Sequence, residues 1–277
     1  GCYYFRSTDG GATWTEGLIT DPYDLGDPTL AMDANGGAYY GYIGTFQHSG
    51  IFVTRSTDGG ATWRPGVPVI EHNSGRPFED KEYPACDRTN GLYAGSLYIA
   101  WTQFDGYEST NPADSTRILF SYSRDQGTTF APPVKVSDRG GDCLDVDNTV
   151  EGAVPAIGPD GTVYLAWAGP RGLEFDRSTD GGLTWGADRI ISDIPGGWDF
   201  AVSGIYRVNG LPVTKTDLSI GPYSGRVFVL WSDQRNGDTD VFLIHSDDGG
   251  AHWSPRVRVN GDPVGNGRDQ FFPWIDV

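Results

Sequence analysis

The sequence predicts an all-β fold assembled from repeated four-stranded units, and three observations lead there. A string of the form Ser-x-Asp-x-Gly-x-x-(Trp/Phe) occurs five times, beginning at Ser7, Ser56, Ser123, Ser178 and Ser246. Each copy stands between two short apolar runs of strand length. No segment of three turns carries the apolar spacing of an amphipathic helix, while the 277 residues include 40 glycines and many aromatics, the material of strands and turns.

The elements follow from these repeats in order. "GIFVTR" (Gly50–Arg55) enters the second copy and "VPVIEH" (Val67–His72) leaves it; "DVFLIH" (Asp240–His245) and "RVRVN" (Arg256–Asn260) flank the fifth. The motif is therefore a hairpin turn. Glycine supplies positive φ, the Asp of each copy (Asp9, Asp58, Asp125, Asp180, Asp248) accepts hydrogen bonds from turn N–H groups, and the last aromatic packs the turn. A second element precedes each complete hairpin: Pro28–Gly44, Tyr83–Thr102, Val154–Gly169 and Asp217–Ser232 each read as strand, turn, strand. Two such pairs make a four-stranded unit, and four-stranded units repeated around an axis are the blades of a propeller. Four complete blades are expected at about 21–262, with blade fragments at 1–20 and 268–277, all in one domain. Gly1–Phe5 reads as a strand in progress and Phe271–Val277 as a first strand begun, which suggests a segment of a longer or processed chain.

The five strings resemble Asp-box, or BNR, repeats of the sialidase-like β-propeller family, and the resemblance spans nearly the whole chain. It implies a six-bladed propeller, of which this chain holds four complete blades and the two terminal fragments. It also implies that the boxes lie on the face away from the active site, so the most conspicuous motif is frame. The function it implies is that of a secreted or cell-surface, glycan-directed protein resembling exo-α-sialidases. Two alternatives stay open: a non-catalytic propeller module that binds glycans or proteins, and a hydrolase or lyase for another polysaccharide.

Charge narrows the partners. A formal net charge of −17 repels phosphate backbones, so nucleic acid is not expected; a carbohydrate or glycoconjugate partner is what the resemblance implies. No apolar run reaches the length of about 18 residues that suggests a membrane span. Cys2, Cys86 and Cys143 form neither a disulfide framework nor a zinc pattern, and a Cys86–Cys143 pair is left open.

Alignment of the first strands sets Asp33, Asp87, Gly158, Gly221 and Asp276 in register. Just upstream, at the level of the mouth, lie Leu25-Gly26-Asp27, Glu79-Asp80-Lys81, Val150-Glu151-Gly152, Val213-Thr214-Lys215 and Arg268-Asp269-Gln270. The second-to-third strand loops add His48, Asp105, Glu108, Arg171 and Arg235. The sialidase resemblance demands three arginines forking a carboxylate, a Tyr–Glu nucleophile pair and an acid/base Asp. Arg171, Arg235 and Arg268 are the candidate triad, joined by Lys81; Glu151 is the candidate partner of Tyr206 or Tyr223; Asp27 or Asp80 is the candidate acid. The family's Arg-Ile-Pro string is absent. No cofactor is required by these roles. Two acidic loops, with Asp142, Asp145, Asp147 and Asn148 in one and Asp233, Asn236, Asp238 and Asp240 in the other, have oxygen ligands suited to Ca²⁺, although neither has EF-hand spacing and a solvated acidic loop competes.

Overall fold

The computed structural model describes residues 2–20, 26–44 and 48–277. Among them every regular element is a strand. A hairpin of β1 (Cys2–Arg6) and β2 (Thr15–Ile19) precedes four antiparallel four-stranded meanders. These are blade I, β3 (Gly26–Met32), β4 (Ala38–Ile43), β5 (Gly50–Ser56) and β6 (Val67–Glu71), and blade II, β7 (Phe78–Cys86), β8 (Leu97–Phe104), β9 (Thr116–Ser123) and β10 (Val134–Lys135). Blade III is β11 (Ala156–Ile157), β12 (Val163–Gly169), β13 (Gly172–Ser178) and β14 (Arg189–Ser192). After an extra hairpin, β15 (Asp199–Val202) and β16 (Ile205–Asn209), comes blade IV, β17 (Val213–Thr216), β18 (Val227–Asp233), β19 (Asp240–Ser246) and β20 (Val257–Arg258).

The second strands are continuous apolar runs because both of their faces are covered. In β8, Leu97, Ile99 and Trp101 face blade I with Tyr39, Ile51 and Val53. The alternate residues Tyr98 and Ala100 face blade III with Val163, Leu165 and Trp167. Phe175 and Ala166 of blade III meet Val227, Val229 and Trp231 of blade IV in the same way. Each aromatic removes roughly 150–250 Å² from water, so the interfaces between blades are the core. The first strands of consecutive blades pack against one another, β3 on β7, β7 on β11 and β11 on β17. They leave between them a channel of about 1250 Å³.

The five box hairpins have one hydrogen-bond scheme. In the second copy Ser56 Oγ accepts from Gly60 N at 2.9 Å, and Asp58 Oδ1 accepts from Ala61 N and Thr62 N at 3.0 and 2.9 Å. The box aromatic wedges against the preceding blade: Trp63 on Tyr4, Trp185 on Phe120 and Trp253 on Phe175. These rings are half-buried rather than enclosed, and Trp14 is 63 % exposed. Consecutive boxes are tied by arginines, Arg124 donating to Gly181 O and Arg177 to Gly249 O, both at 2.6 Å.

Three expectations are corrected. Phe271–Val277 is not a strand; it has no ladder partner among the described residues and instead lies across the first strands, with Trp274 6.2 Å from the Tyr83 ring and Asp276 3.3 Å from Lys215 Nζ. The residue of blade IV that matches Asp33 and Asp87 is Asp217, not Gly221, since Asp217 N bonds Arg226 O as Asp87 N bonds Ser96 O. Leu211, rather than Lys215, thereby takes the mouth position in that blade. Finally, β15–β16 was not foreseen, although "DFAVSGIYRVN" has the strand–Gly–strand pattern of a hairpin; Phe200, Val202 and Val208 give it a small core of its own. All three cysteines are buried, and Cys86 and Cys143 do not form a disulfide.

Candidate functional site

The site is built from a bulge repeated in neighbouring blades. In β7 the pairing runs Asp80↔Thr102 and resumes at Tyr83↔Ala100, so Lys81 and Glu82 oppose one residue. In β3 it runs Gly26↔Ile43 and resumes at Thr29↔Gly41, so Asp27 and Pro28 do the same. Lys81 (φ 53°) and Asp27 (φ 55°) both adopt the left-handed conformation, as does Gly152 (φ 81°) at the matching place in blade III. Left-handed, non-glycine residues cost free energy and concentrate where geometry matters. The bulge turns each strand so that the residue before it, Asp80 in blade II and Glu151 in blade III, meets the Lys81 ammonium behind the channel wall.

Lys81 is the centre of what results. Its Nζ lies 3.1 Å from Glu151, 3.4 Å from Asp80 and 4.0 Å from Asp145. Glu151 is fully buried, and Asp80 and Asp145 nearly so. Asp145 comes from the link between blades II and III and itself has a positive φ of 51°. It accepts from the Tyr107 hydroxyl at 2.5 Å and pairs with Arg207 at 2.8 Å. Tyr107 arrives from the second-to-third strand loop of blade II and Arg207 from β16, so four separate pieces of chain meet here.

The environment spreads the proton affinities. Burial pushes Asp80 up to about 6; Lys81 opposes this, and the charges of Asp27 and Asp145 and a hydrogen bond with Asp27 reinforce it. Burial likewise drives Glu151 well above the carboxylate range against the pull of Lys81. Burial pushes Asp145 up too, but Lys81, the Tyr107 hydroxyl, Glu151 and Arg207 outweigh it and hold this carboxyl below its ordinary value. For Lys81, burial disfavours the ammonium, yet Asp80, Glu151 and Asp145 more than restore it. One cluster thus contains two carboxyls whose proton affinity is raised and one whose affinity is lowered, an arrangement suited to acid–base chemistry. Asp27, Lys81 and Arg207 line the channel; Asp80, Asp145 and Glu151 stand behind them.

The other expected residues lie elsewhere. Arg171 is held by Glu174 and, at 3.5 Å, by Asp188. Arg235 is held by Asp233 and, at 3.3 Å, by Asp193, with its guanidinium over the Phe242 ring. Arg268 is exposed. The three do not converge: Arg171 and Arg235 are each occupied near their own strand ends, and Arg268 stands in solvent. Tyr206 projects fully into solvent from β16, and Tyr223 lies under the Arg226 guanidinium in the β17–β18 turn; neither meets Glu151, and the tyrosine of the cluster is Tyr107, paired to Asp145. His48 faces Glu71 at 3.9 Å and Arg76 faces Asp114 at 3.0 Å, while Asp105 pairs with Arg117 at 2.6 Å.

Neither acidic loop gathers its oxygens. Asp145 belongs to the Lys81 cluster, Asp147 accepts from Asp199 N at 2.8 Å and Asp142 from Leu144 N at 3.2 Å. In the second loop Asp238 accepts from Gly267 N at 2.9 Å, while Asp240 pairs with Arg258 at 2.7 Å. Among the described residues no three His, Cys, Asp or Glu side chains are placed to hold a metal ion. Sequence reasoning missed Tyr107 and Arg207 and read Asp145 as a possible ligand. "FDGYES" marks the loop of Tyr107, but nothing in the string says that its ring turns toward a different link.

Comparison with known proteins agrees with this architecture. The family model of the BNR/Asp-box repeat matches residues 5–16. No curated protein matches the chain. Among solved structures, the chain is similar to an α-L-arabinanase from Penicillium chrysogenum in complex with arabinobiose, at 16 % identity and a TM-score of 0.55, covering 90 % of this chain and 70 % of the other. It is similar to the NanB sialidase from Streptococcus pneumoniae, at 10 % identity and a TM-score of 0.59, over 93 % and 53 % of the two chains. It is also similar to an α-L-arabinofuranosidase from Fusarium graminearum, at 15 % identity and a TM-score of 0.57, over 92 % and 71 %. The resemblance to Asp-box, sialidase-like propellers is thereby shown at the level of repeat and fold.

Proposed function

We propose that the protein is a glycoside hydrolase acting on a neutral sugar, with its site at the Lys81 end of the channel. The observation that carries this reading is the set of buried carboxyls, Asp80, Asp145 and Glu151, gathered around one ammonium behind the channel-facing Asp27. The glycosidic bond breaks when its oxygen receives a proton, and a carboxylic acid with a pKa near the working pH delivers it. Asp27 meets the substrate, and Asp80, hydrogen-bonded to it, stores the proton. Lys81, anchored by Glu151 and Asp145, presents its ammonium to sugar oxygens.

The choice of a neutral sugar over a sialoside comes from the arginines. Recognition of a sugar carboxylate needs guanidinium forks free to receive it. Arg171 and Arg235 are spent on Glu174 and Asp233, and Arg207 on Asp145. The proposal extends to a closed ring of six blades in the whole protein, an extracellular or cell-surface location, where polymeric glycans are met, and a reaction that requires no cofactor. The neighbours named for arabinan chemistry make arabinofuranosides the first substrates to try.

The test is hydrolysis of fluorogenic α-L-arabinofuranoside, β-D-xyloside and α-sialoside by the protein and by Asp27→Asn and Asp80→Asn. Asn tolerates the left-handed backbone at position 27, so that variant keeps the fold. Turnover of a neutral glycoside that falls by roughly 10²-fold or more in Asp27→Asn, the usual worth of a positioned acid, supports the reading. Turnover of the sialoside alone refutes the neutral substrate, and binding without turnover leaves a glycan-binding module.

A further inference from the structure

A second cavity, of about 400 Å³, lies beside the fourth Asp box and shares no lining residue with the channel. It exists because blade III departs from a rule that the other three complete blades obey. In those blades the residue after the box aromatic closes the base of the hairpin with a backbone bond to the residue before the box serine: Arg64 N to Arg55 O, Ala131 N to Tyr122 O and Ser254 N to His245 O. Two of them add a hydroxyl bond, Thr54 to Arg64 O at 2.5 Å and Ser121 to Ala131 O at 2.6 Å. In blade III the place of Thr54 and Ser121 is taken by Asp176, whose Oδ1 captures Gly186 N at 3.1 Å. Residue 186 is glycine where the other blades have Arg, Ala and Ser, and a Cβ there would stand 2.8 Å from Asp176 Oδ1.

The cleft opened in this way contains orphaned polar atoms. Asp176 is 4 % exposed, and its Oδ2 is buried without a hydrogen-bond partner; the Trp185 indole N–H is also unpartnered, as are those of Trp63 and Trp253 in blades with a closed base, so the Asp176 carboxyl is what sets this cleft apart. A buried, half-satisfied carboxyl costs free energy that a serine at this position would not. Arg177, Arg189 and Thr184 complete the wall.

We propose that this cleft is a second saccharide-binding site, which takes one neutral sugar unit through its hydroxyls at Asp176 and Trp185. The groups present select that class. A hydroxyl both donates, as Asp176 Oδ2 requires, and accepts, as the Trp185 N–H requires. An amine or metal ion meets two flanking guanidinium groups and a single carboxylate, and an anion meets the carboxylate. The volume lies within the range of about 300–1,000 Å³ typical of small-molecule pockets. The choice of sugar over other neutral polyols rests on the carbohydrate reading of the channel; the site itself does not.

The experiment labels the protein with 5-fluorotryptophan, assigns the Trp185 resonance by Trp185→Phe, and titrates arabinobiose, xylobiose, cellobiose and lactose. The same titration is run on Asp176→Ser/Gly186→Ala, which restores the Ser121 and Ala131 pairing of blade II, and on the shape-conserving Asp176→Asn. At least one disaccharide is expected to shift Trp185 saturably in the parent protein, and both variants to weaken that binding at least roughly tenfold. Hydrolysis of the small fluorogenic glycosides should be the same in parent and variants, since Asp176 has no part in the channel. An unmoved Trp185 resonance with all four sugars, or equal binding by the serine/alanine variant, overturns the proposal. Absence of hydrolysis with a saturable Trp185 shift removes the hydrolase reading and leaves this site standing.

Discussion

Replacing Lys81 by Met tests the electrostatic account of the channel cluster most directly. The side chain keeps its bulk while one positive charge leaves a pocket of buried carboxyls at 3.1, 3.4 and 4.0 Å. Removing one partner of a buried ion pair costs about 3–5 kcal/mol, since the charges left behind have lost both water and partner. For a chain of this size each kcal/mol lowers Tm by about 2–4 °C, so a fall of roughly 10 °C is expected near pH 8. The cost must depend on pH, and its sign is fixed. The Lys81 pKa lies above its unfolded value, so its contribution is fully present below the unfolded pKa and is lost only as pH rises through the still higher folded one; between about pH 4 and 9 the ammonium stays charged. Asp80 and Glu151 have folded pKa values above their unfolded ones, so their ionisation destabilises the fold as pH rises through the range up to about 6 for Asp80 and higher for Glu151. Without Lys81 these values rise further, and the penalty of the variant grows from pH 5 to pH 8. Thermal or urea denaturation of both proteins at the two pH values reads the difference. A deficit equal at pH 5 and pH 8 would show that Lys81 acts by packing alone.

The remaining predictions are shorter. Glycoside hydrolysis that depends on protonated Asp80 should decline as pH rises through about 6, and Asp80→Asn should abolish that limb of the pH–rate profile. Gly182→Ala places a Cβ 2.2 Å from the Phe120 ring at a φ of 94°, which should destabilise by roughly 1–3 kcal/mol or more in a denaturant titration, with Phe120→Leu restoring part of the loss. Trp185→Ala should cost less than the roughly 3–5 kcal/mol of a fully enclosed ring, and Trp14→Ala, at an exposed position, should be nearly silent; equal losses would refute the wedge between blades.

The local features of this protein were legible in its residues. Ser56, Asp58, Gly60 and Trp63 state a hairpin within eight positions, because turn φ values and the Asp carboxylate's bonds to nearby N–H groups are decided by neighbours in the chain. The same holds for the paired strands of each blade, whose apolar runs announce burial on both faces. Asp27, Asp80 and Glu151 were found from their offset before the aligned strand ends, since an offset within a repeat is also a local quantity.

What the chain could not state locally is which distant groups neutralise each other. Lys81, Asp145, Tyr107 and Arg207 come from a bulge, a link, a loop and an inserted hairpin, and their meeting depends on how one blade is rotated against the next. Arg171 and Arg235 in loops and Arg268 before a first strand read as equal members of one triad, yet the fold gave the first two a carboxylate close by in sequence and left the third in solvent. Phe271–Val277 has the residues of a strand, but a strand is a relation between two segments, and the described residues supply no second one. Turns and strand patterns are governed by interactions across a few residues and survive in the sequence. Charge pairing acts across about 3–4 Å of space between segments far apart in the chain, so only the tertiary structure decided it.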